Sequence, residues 1–288
     1  MRNVSLLHAV NYGRSAPHRM QGFTLLEIAI SLVVIGLLIS SLLGPIQTQM
    51  EARDRRDTEA RLNLALEALY GFAIANGRLP CPDTDGDGAA DSTDVNGELC
   101  DGGTTYSFTD GDGFLPWSDL GIPPGDAWRN HIRYRVTFPD YTRADSDGLC
   151  DGNVNPNEFD LCAVGGLVVR SRGDDPATAA IEGKAIMPLA TNVPAVLFSH
   201  GRNGYGARSL DGVARATPPG STDESRNADA GSAGVDFYAR SYSIGAAGCS
   251  EDVSSPDESK PLCEFDDLLV WVSPTVLVGK MVTAGRLP

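Results

Sequence analysis

The 288-residue sequence predicts an α+β fold, in which a long N-terminal helix packs on an antiparallel β-sheet head with long disulfide-bearing loops. Three observations support this prediction. An apolar run occupies residues 23–46, a stripe of apolar side chains at helical spacing follows it, and short alternating segments come later in the chain. The first half of the helix is therefore expected to be transmembrane, and the second half amphipathic.

The apolar run is interrupted by one carboxylate, Glu27, and by a few hydroxyl side chains. A helix of this length spans roughly 36 Å, which is enough to cross a bilayer. The run is too long for the apolar region of a secretory signal peptide, and no small-residue cleavage site follows it. A plain signal anchor leaves Glu27 unexplained, because a charge at membrane depth costs about 2.5–3.5 kcal/mol and is usually paired.

The helix is expected to continue over residues 47–76. Gly44-Pro45 should kink it, because proline removes one backbone hydrogen bond. Asn76-Gly77 provides a C-terminal stop signal, with Pro80 just beyond it. Four apolar residues at helical spacing form one stripe that would pack on a sheet: Leu62, Leu66, Leu69 and Ala73.

The head, residues 77–288, is expected to contain strands separated by long loops. His131–Phe138 is the clearest strand, because apolar and polar side chains alternate along it. Ser273-Pro274 predicts the start of a short helix that runs through Met281. Thr217–Ala233 is polar and is expected to be a mobile loop. Further strands are predicted at Leu167–Arg170, Ala195–Phe198, Phe237–Tyr242 and Leu268–Val272.

Charge and cysteine usage limit the function classes. A formal net charge of -15 argues against nucleic acid as a partner, because phosphate binding needs a basic face. The six cysteines all follow the apolar run and form no CxxC pair, so the ligand spacing of a zinc site is absent. Their number and position favour an exported, disulfide-forming domain. Pairing between sequence neighbours is expected, because each pair brackets a polar loop: Cys81 with Cys100, Cys150 with Cys162, and Cys249 with Cys263.

One acidic loop has the spacing of a calcium site. Its aspartates occupy the first, third, fifth, ninth and twelfth positions of an EF-hand loop: Asp83, Asp85, Asp87, Asp91 and Asp94. Gly88 would allow the sharp turn at the sixth position. Two features depart from the pattern: Asp94 replaces the usual final Glu, and prolines before the loop forbid a normal entering helix. The alternative is an Asx-rich surface turn held by a disulfide.

The sequence offers little support for a catalytic site. Ser199 and His200 are adjacent on a predicted strand, so their side chains point apart and do not have triad geometry. No G-x-S-x-G elbow is present. The glycines of Gly201–Gly206 are not accompanied by a lysine that would bind phosphate, so they fit a hairpin turn better than a phosphate-binding loop. An enzyme is not expected.

Residues Gly22 to Glu27, GFTLLE, follow a leader that ends in HRMQ. This stretch resembles the cleavage motif of type IV prepilins and type II secretion pseudopilins. The resemblance implies that a prepilin peptidase cuts between Gly22 and Phe23 and that the new N-terminus is methylated. Glu27 would then neutralise the α-amino group of an adjacent subunit in a filament, so the carboxylate is satisfied only on assembly. The stretch Gly125–Asn130 is similar to the Asp-Pro-Trp-Gly turn before the pseudopilin sheet, with departures at Ala127 and Arg129.

The resemblance implies an organisation of four parts: a prepilin leader at 1–22, a transmembrane and filament-core helix at 23–46, an amphipathic helix at 47–76 and a globular α+β head at 77–288. The implied function is that of a minor pilin or pseudopilin in a type IV pilus or a type II secretion pseudopilus. The implied partners are other such subunits, the prepilin peptidase and the inner membrane.

Topology follows from the cysteines, since arginines flank the apolar run on both sides and the positive-inside count does not settle it. The protein is expected to span the inner membrane once, with its head on the oxidising, periplasmic side, and to reach an extracellular filament after assembly. The alternative is a membrane-anchored calcium-binding or adhesive module that does not polymerise. Glu27 discriminates between the two, because an anchor does not need it.

Overall fold

The computed structural model describes residues 24–93, 100, 111–143, 159–173, 185–228, 235–251 and 260–288, and only the backbone of 40–47, 173 and 185. The chain divides after Gln49 into two compact units. Within the part of the chain that the structure describes, no helix combines the length and apolar character needed to cross a bilayer.

Helix α1 runs from Leu25 to Asn76, a length of 52 residues. The helix continues through Gly44-Pro45, where the sequence predicts a kink. The helix ends as predicted, because Gly77 adopts a left-handed φ of 75° and donates its N–H to the carbonyl of Ala73. A residue without a Cβ takes this conformation at little cost.

Nine strands and two more helices follow in the described residues. They are β1 (Asp112–Phe114), β2 (Arg133–Val136), β3 (Leu167–Gly173), β4 (Ala185–Val193), β5 (Ala195–Ser199), α2 (Asp223–Ala228), β6 (Asp236–Tyr238), β7 (Ser243–Ile244), β8 (Glu264–Phe265), β9 (Leu268–Trp271) and α3 (Pro274–Thr283).

The strands form three sheets. The main sheet has the order β1-β2-β5-β9 and is antiparallel throughout. A second sheet has the order β4-β3-β6, and β7 pairs with β8. The α+β class with an antiparallel main sheet is thus confirmed. The parallel pair β3–β6 departs from the antiparallel prediction, because the chain reaches β6 through a long crossover that includes α2 rather than through a hairpin.

Alternation along β5 places the main sheet between two apolar layers. Leu197 packs in one cluster with Leu62, Ala65 and Leu69 of α1, all of them fully buried. Val196 and Phe198 point the other way, into a cluster with residues of β3 and β6. The predicted helical stripe is therefore confirmed, with Leu66 at its partly buried edge.

Five predicted strand regions contain observed strands, namely β2, β3, β5, β6 and β9, whereas β1, β4, β7 and β8 were not predicted. Strand β4 contains Pro188, which is tolerated because β4 lies at a sheet edge. The prediction of a loop at Thr217–Ala233 was wrong in part, since this segment contains the buried helix α2. Helix α3 begins with Pro274 as predicted, although the Ser273 side chain makes no capping hydrogen bond.

Two disulfides join Cys81 to Cys100 and Cys249 to Cys263, which are two of the three predicted pairs. Cys162 is also disulfide-bonded. Its predicted partner, Cys150, lies outside the described residues.

Candidate functional site

The start of α1 carries the residue that the sequence singles out for assembly. Gly22 and Phe23 lie outside the described residues, which begin at Thr24. Thr24 caps the helix: its Oγ1 accepts the backbone N–H of Glu27 at 3.2 Å. Thr24 and Glu27 thus occupy the two positions of a capping box, a signal that the sequence reasoning missed. The Glu27 side chain is exposed in the first helical turn, where the helix dipole favours a carboxylate.

Side chains 25–39 of α1 are all exposed, although nearly all of them are apolar. Leu25, Leu32 and Leu37 are 88%, 64% and 68% exposed. Ser31 donates its hydroxyl proton to the Glu27 carbonyl at 2.8 Å, which satisfies the hydroxyl within the helix. An apolar surface of this extent marks a region that another molecule or a lipid phase covers.

The acidic loop brings part of the predicted calcium set together. Asp83, Asp85 and Asp91 each offer a carboxylate oxygen, and these oxygens lie within 4.8 Å of one another. Asp87 does not join this group, and Asp94 lies outside the described residues. Three of the five predicted carboxylates therefore converge in the described residues.

Hydrogen bonds within the loop also hold these carboxylates. Asp83 is buried, and it accepts the N–H groups of Gly86 at 2.6 Å and Gly88 at 2.8 Å. Burial raises the pKa of Asp83 to about 6, against the opposing effect of these donors. Asp91 accepts the hydroxyl of Thr84 at 2.6 Å. Both the calcium interpretation and the Asx-turn interpretation fit this geometry.

The turn at Gly125–Asn130 fastens α1 to the main sheet. Asp126 is buried and accepts the N–H of Asn130 at 2.8 Å and the hydroxyl of Ser199 at 2.7 Å. Burial raises the pKa of Asp126. Arg61 of α1 donates to the carbonyls of Gly125 and Asp126, both at 3.2 Å. The turn thus links β5 to the helix.

Ser199 and His200 do not form a catalytic pair. The Ser199 hydroxyl is fully buried and is used by Asp126. Burial, with a further contribution from Arg133, lowers the pKa of His200 to about 3, so its imidazole is neutral. Gly201–Gly206 forms turns as predicted, but it does not connect two paired strands.

A second group of carboxylates was missed by the sequence reasoning. Glu224, Asp266 and Asp267 are all buried and lie close together. Glu224 comes from α2, and the two aspartates link β8 to β9, so about 40 residues of sequence separate them. No motif with a fixed spacing could have revealed them.

Comparison with known proteins identifies one segment. Residues 17–43 match the family model of the prokaryotic N-terminal methylation motif. No curated protein and no solved structure matches the chain. The matched segment contains both Gly22-Phe23 and the exposed Glu27. The chain carries the methylation motif that is characteristic of the type IV pilin and pseudopilin family.

Proposed function

We propose that the protein is a structural subunit, a minor pilin or pseudopilin, of a type IV pilus or a type II secretion pseudopilus, and that it is not an enzyme. The methylation motif over residues 17–43 is the observation that carries this proposal. The exposed apolar surface of residues 25–39 supports it, because a filament-core helix needs lipid before assembly and neighbouring subunits afterwards.

In this proposal, prepilin peptidase removes the leader, residues 1–22, and methylates Phe23. Residues 23–46 span the inner membrane once, and the head faces the periplasm. The disulfides of the head fit that location, because such bonds persist in oxidising compartments. Other pilin or pseudopilin subunits are the partners in the filament.

Glu27 is the proposed assembly residue. A carboxylate in an apolar surrounding is costly alone, and the α-amino group of Phe23 in an adjacent subunit would neutralise it. Capping by Thr24 supports this role, since it fixes the first turn that presents the carboxylate. The capping box also supplies a local explanation of Glu27, so the experiment must separate charge from capping.

Two substitutions separate the charge of Glu27 from its role in capping the helix. Glu27→Gln removes the charge but keeps a residue that can complete a capping box, whereas Glu27→Ala removes both. We expect both variants to insert into the membrane at least as well as the parent and to enter sheared filament fractions several-fold less. Quantitative blotting of sheared filaments against total membrane protein measures this. If Glu27→Gln assembles like the parent and only Glu27→Ala fails, Glu27 is a cap and the pairing is wrong.

We further propose that the acidic loop is a weak calcium site built on Asp83, Asp85 and Asp91. Their convergence within 4.8 Å supports it, because hard oxygen ligands at such distances suit Ca²⁺. The disulfide from Cys81 to Cys100 brackets the loop and limits its opening. The role of this cation would be structural.

A further inference from the structure

The interior of the head holds a group of three carboxylates that neither the motif nor the acidic loop explains. Glu224, Asp266 and Asp267 are 1%, 7% and 3% exposed. Each offers one oxygen, and the three oxygens lie within 4.8 Å of one another. Acidic side chains are almost never buried unless they are paired or bind a cation.

Hydrogen bonds satisfy only some of the oxygens of these carboxylates. Asn203 donates its side-chain N–H to both oxygens of Glu224, at 3.0 and 3.2 Å. One oxygen of Asp266 accepts the Asn203 backbone N–H at 2.8 Å, and one oxygen of Asp267 accepts the side chain of Asn227 at 2.8 Å. The Oδ1 atoms of Asp266 and Asp267 are buried and have no hydrogen-bond donor among the described residues. An unsatisfied buried acceptor of this kind indicates a missing partner.

Among the described residues, nearby charges do not supply that partner. Arg240 is the cation that faces Asp267, but it already pairs with Asp223 at 3.0 Å and with Glu251 at 2.5 Å. Glu264 adds a further negative charge next to Glu224. Burial and mutual repulsion raise the pKa of Asp267 well above its ordinary value and that of Glu224 to about 7.

The geometry suits a hard divalent cation. Two oxygens on opposite sides of a Ca²⁺ ion lie about 4.6–5.2 Å apart, because each metal–oxygen distance is about 2.3–2.6 Å. The three oxygens of this group lie within 4.8 Å of one another, so they are close enough to reach a single ion. The ligands are all oxygens, from helix α2 and from the connection between β8 and β9, and hard oxygen ligands suit Ca²⁺.

Two pockets border the group. Glu224 lines a pocket of about 340 Å³ together with Tyr205, Thr222 and Glu264. Asp267 lines a separate pocket of about 310 Å³ next to α1. Water in either pocket could complete the coordination of a cation, which normally has six to eight oxygens around calcium.

We propose that Glu224, Asp266 and Asp267 form an interior calcium site that ties α2 to the connection between β8 and β9. The site is distinct from the acidic loop and does not depend on filament assembly.

The test uses the full-length protein in detergent, stripped of metal with a chelator and then dialysed. Calcium chloride is added up to 5 mM at pH 7.5, and the melting temperature and the binding isotherm are recorded for the parent and three variants. Asp267→Asn keeps the oxygen that accepts from Asn227 and removes the charge. Asp85→Asn removes a ligand of the acidic loop instead, and Asp211→Asn removes a charge from an exposed aspartate.

We expect calcium to raise the melting temperature of the parent, of Asp85→Asn and of Asp211→Asn. We expect Asp267→Asn to bind at the interior site at least about tenfold more weakly, since loss of second-shell partners alone typically costs 10–100-fold in affinity. Magnesium should have a smaller effect. An undiminished calcium response in Asp267→Asn overturns the proposal, as does the absence of any calcium response in the parent.

A second measurement keeps the proposal testable if Asp267→Asn does not fold. Calorimetric titration of the Asp85→Asn protein with calcium chloride reports whether calcium still binds when the acidic loop lacks one of its ligands. Calcium binding that persists in this variant supports the interior site, because its three ligands lie outside the acidic loop. Stabilisation by acid without any binding of calcium would show that the carboxyl groups only share a proton, and would overturn the proposal.

Discussion

The two ends of helix α1 are both apolar, yet they differ in what covers them. Residues such as Leu62 and Leu69 are fully buried against the main sheet, whereas Leu32 and Leu37 are mostly exposed. A stripe with helical spacing is enough to pack against one sheet. The continuous apolar surface at 25–39 is exposed to solvent, and surfaces of this kind are typical of segments that contact other molecules or lipid. The comparison shows that hydrophobicity alone does not distinguish a core segment from an assembly segment.

The largest expected difference between the two ends of α1 is in stability: truncating a buried leucine should destabilise the head far more than truncating an exposed one. Leu69→Ala should lower the free energy of unfolding of the head by about 2–5 kcal/mol, because it leaves a cavity at a fully buried position. Leu32→Ala, the matched change in the exposed segment, should alter it by less than about 0.5 kcal/mol. Denaturant unfolding of the full-length protein in detergent measures both. Equal destabilisation by the two changes would contradict the assignment of separate roles.

Stability should depend on pH through the interior carboxylates. The pKa of Glu224 is raised to about 7 from its ordinary 4.5, so its contribution to stability is present at low pH and is lost as pH rises through 7. The loss is on the order of 2–3 kcal/mol. His200 acts in the opposite direction, because its pKa is lowered and the unfolded chain gains a proton below about 6.5.

Comparison with Glu224→Gln isolates the carboxylate from His200. In chelator, the parent should lose more stability than Glu224→Gln between pH 5 and pH 8. Thermal unfolding of both proteins across that range measures the difference. Parallel pH profiles would show that Glu224 titrates at its ordinary pKa.

Calcium binding in the acidic loop should give the smallest effect. The gain is about 1 kcal/mol at five times Kd, and extracellular modules often bind at about 10⁻⁴–10⁻³ M, so millimolar calcium is needed. Asp85→Asn should weaken the response, because Asp85 belongs to the convergent group. Asp87→Asn makes the same charge change in the same loop and should not weaken it. Each substitution is tested in an Asp267→Asn background to remove the interior site. Identical responses of the two variants would mean that the loop is only an acidic turn.

Much of the fold could be predicted from apolar periodicity. The helix, its buried stripe, its stop at Gly77 and five strand positions follow from patterns that reflect burial of apolar surface. Helix α2 could not be found in this way, because polar side chains are what it buries. Asp223 pairs with Arg172 at 2.8 Å, and Asn227 donates to the Tyr238 carbonyl at 3.0 Å. Paired polar groups carry no periodic signal.

Sequence patterns revealed the candidate sites whose residues are close together in the chain, but not the site that forms only by tertiary folding. Glu27 stands out because it is a charge in an apolar run, and three loop aspartates stand out because they are close in sequence. The interior carboxylates come together only through tertiary folding, across the pairing of β9 with β5 and of β8 with β7. Contacts of that range have no local sequence signature.

The identity of the mature N-terminus tests the central claim most directly. The protein is extracted from membranes of cells that contain a prepilin peptidase, and its intact mass and N-terminal peptide are determined by mass spectrometry. The motif at residues 17–43 predicts a chain that begins at N-methylated Phe23, with the leader removed and Glu27 retained. A chain that still begins at Met1, or one cleaved after Ser41 as by a signal peptidase, would contradict assignment of the protein as a pilin-like subunit.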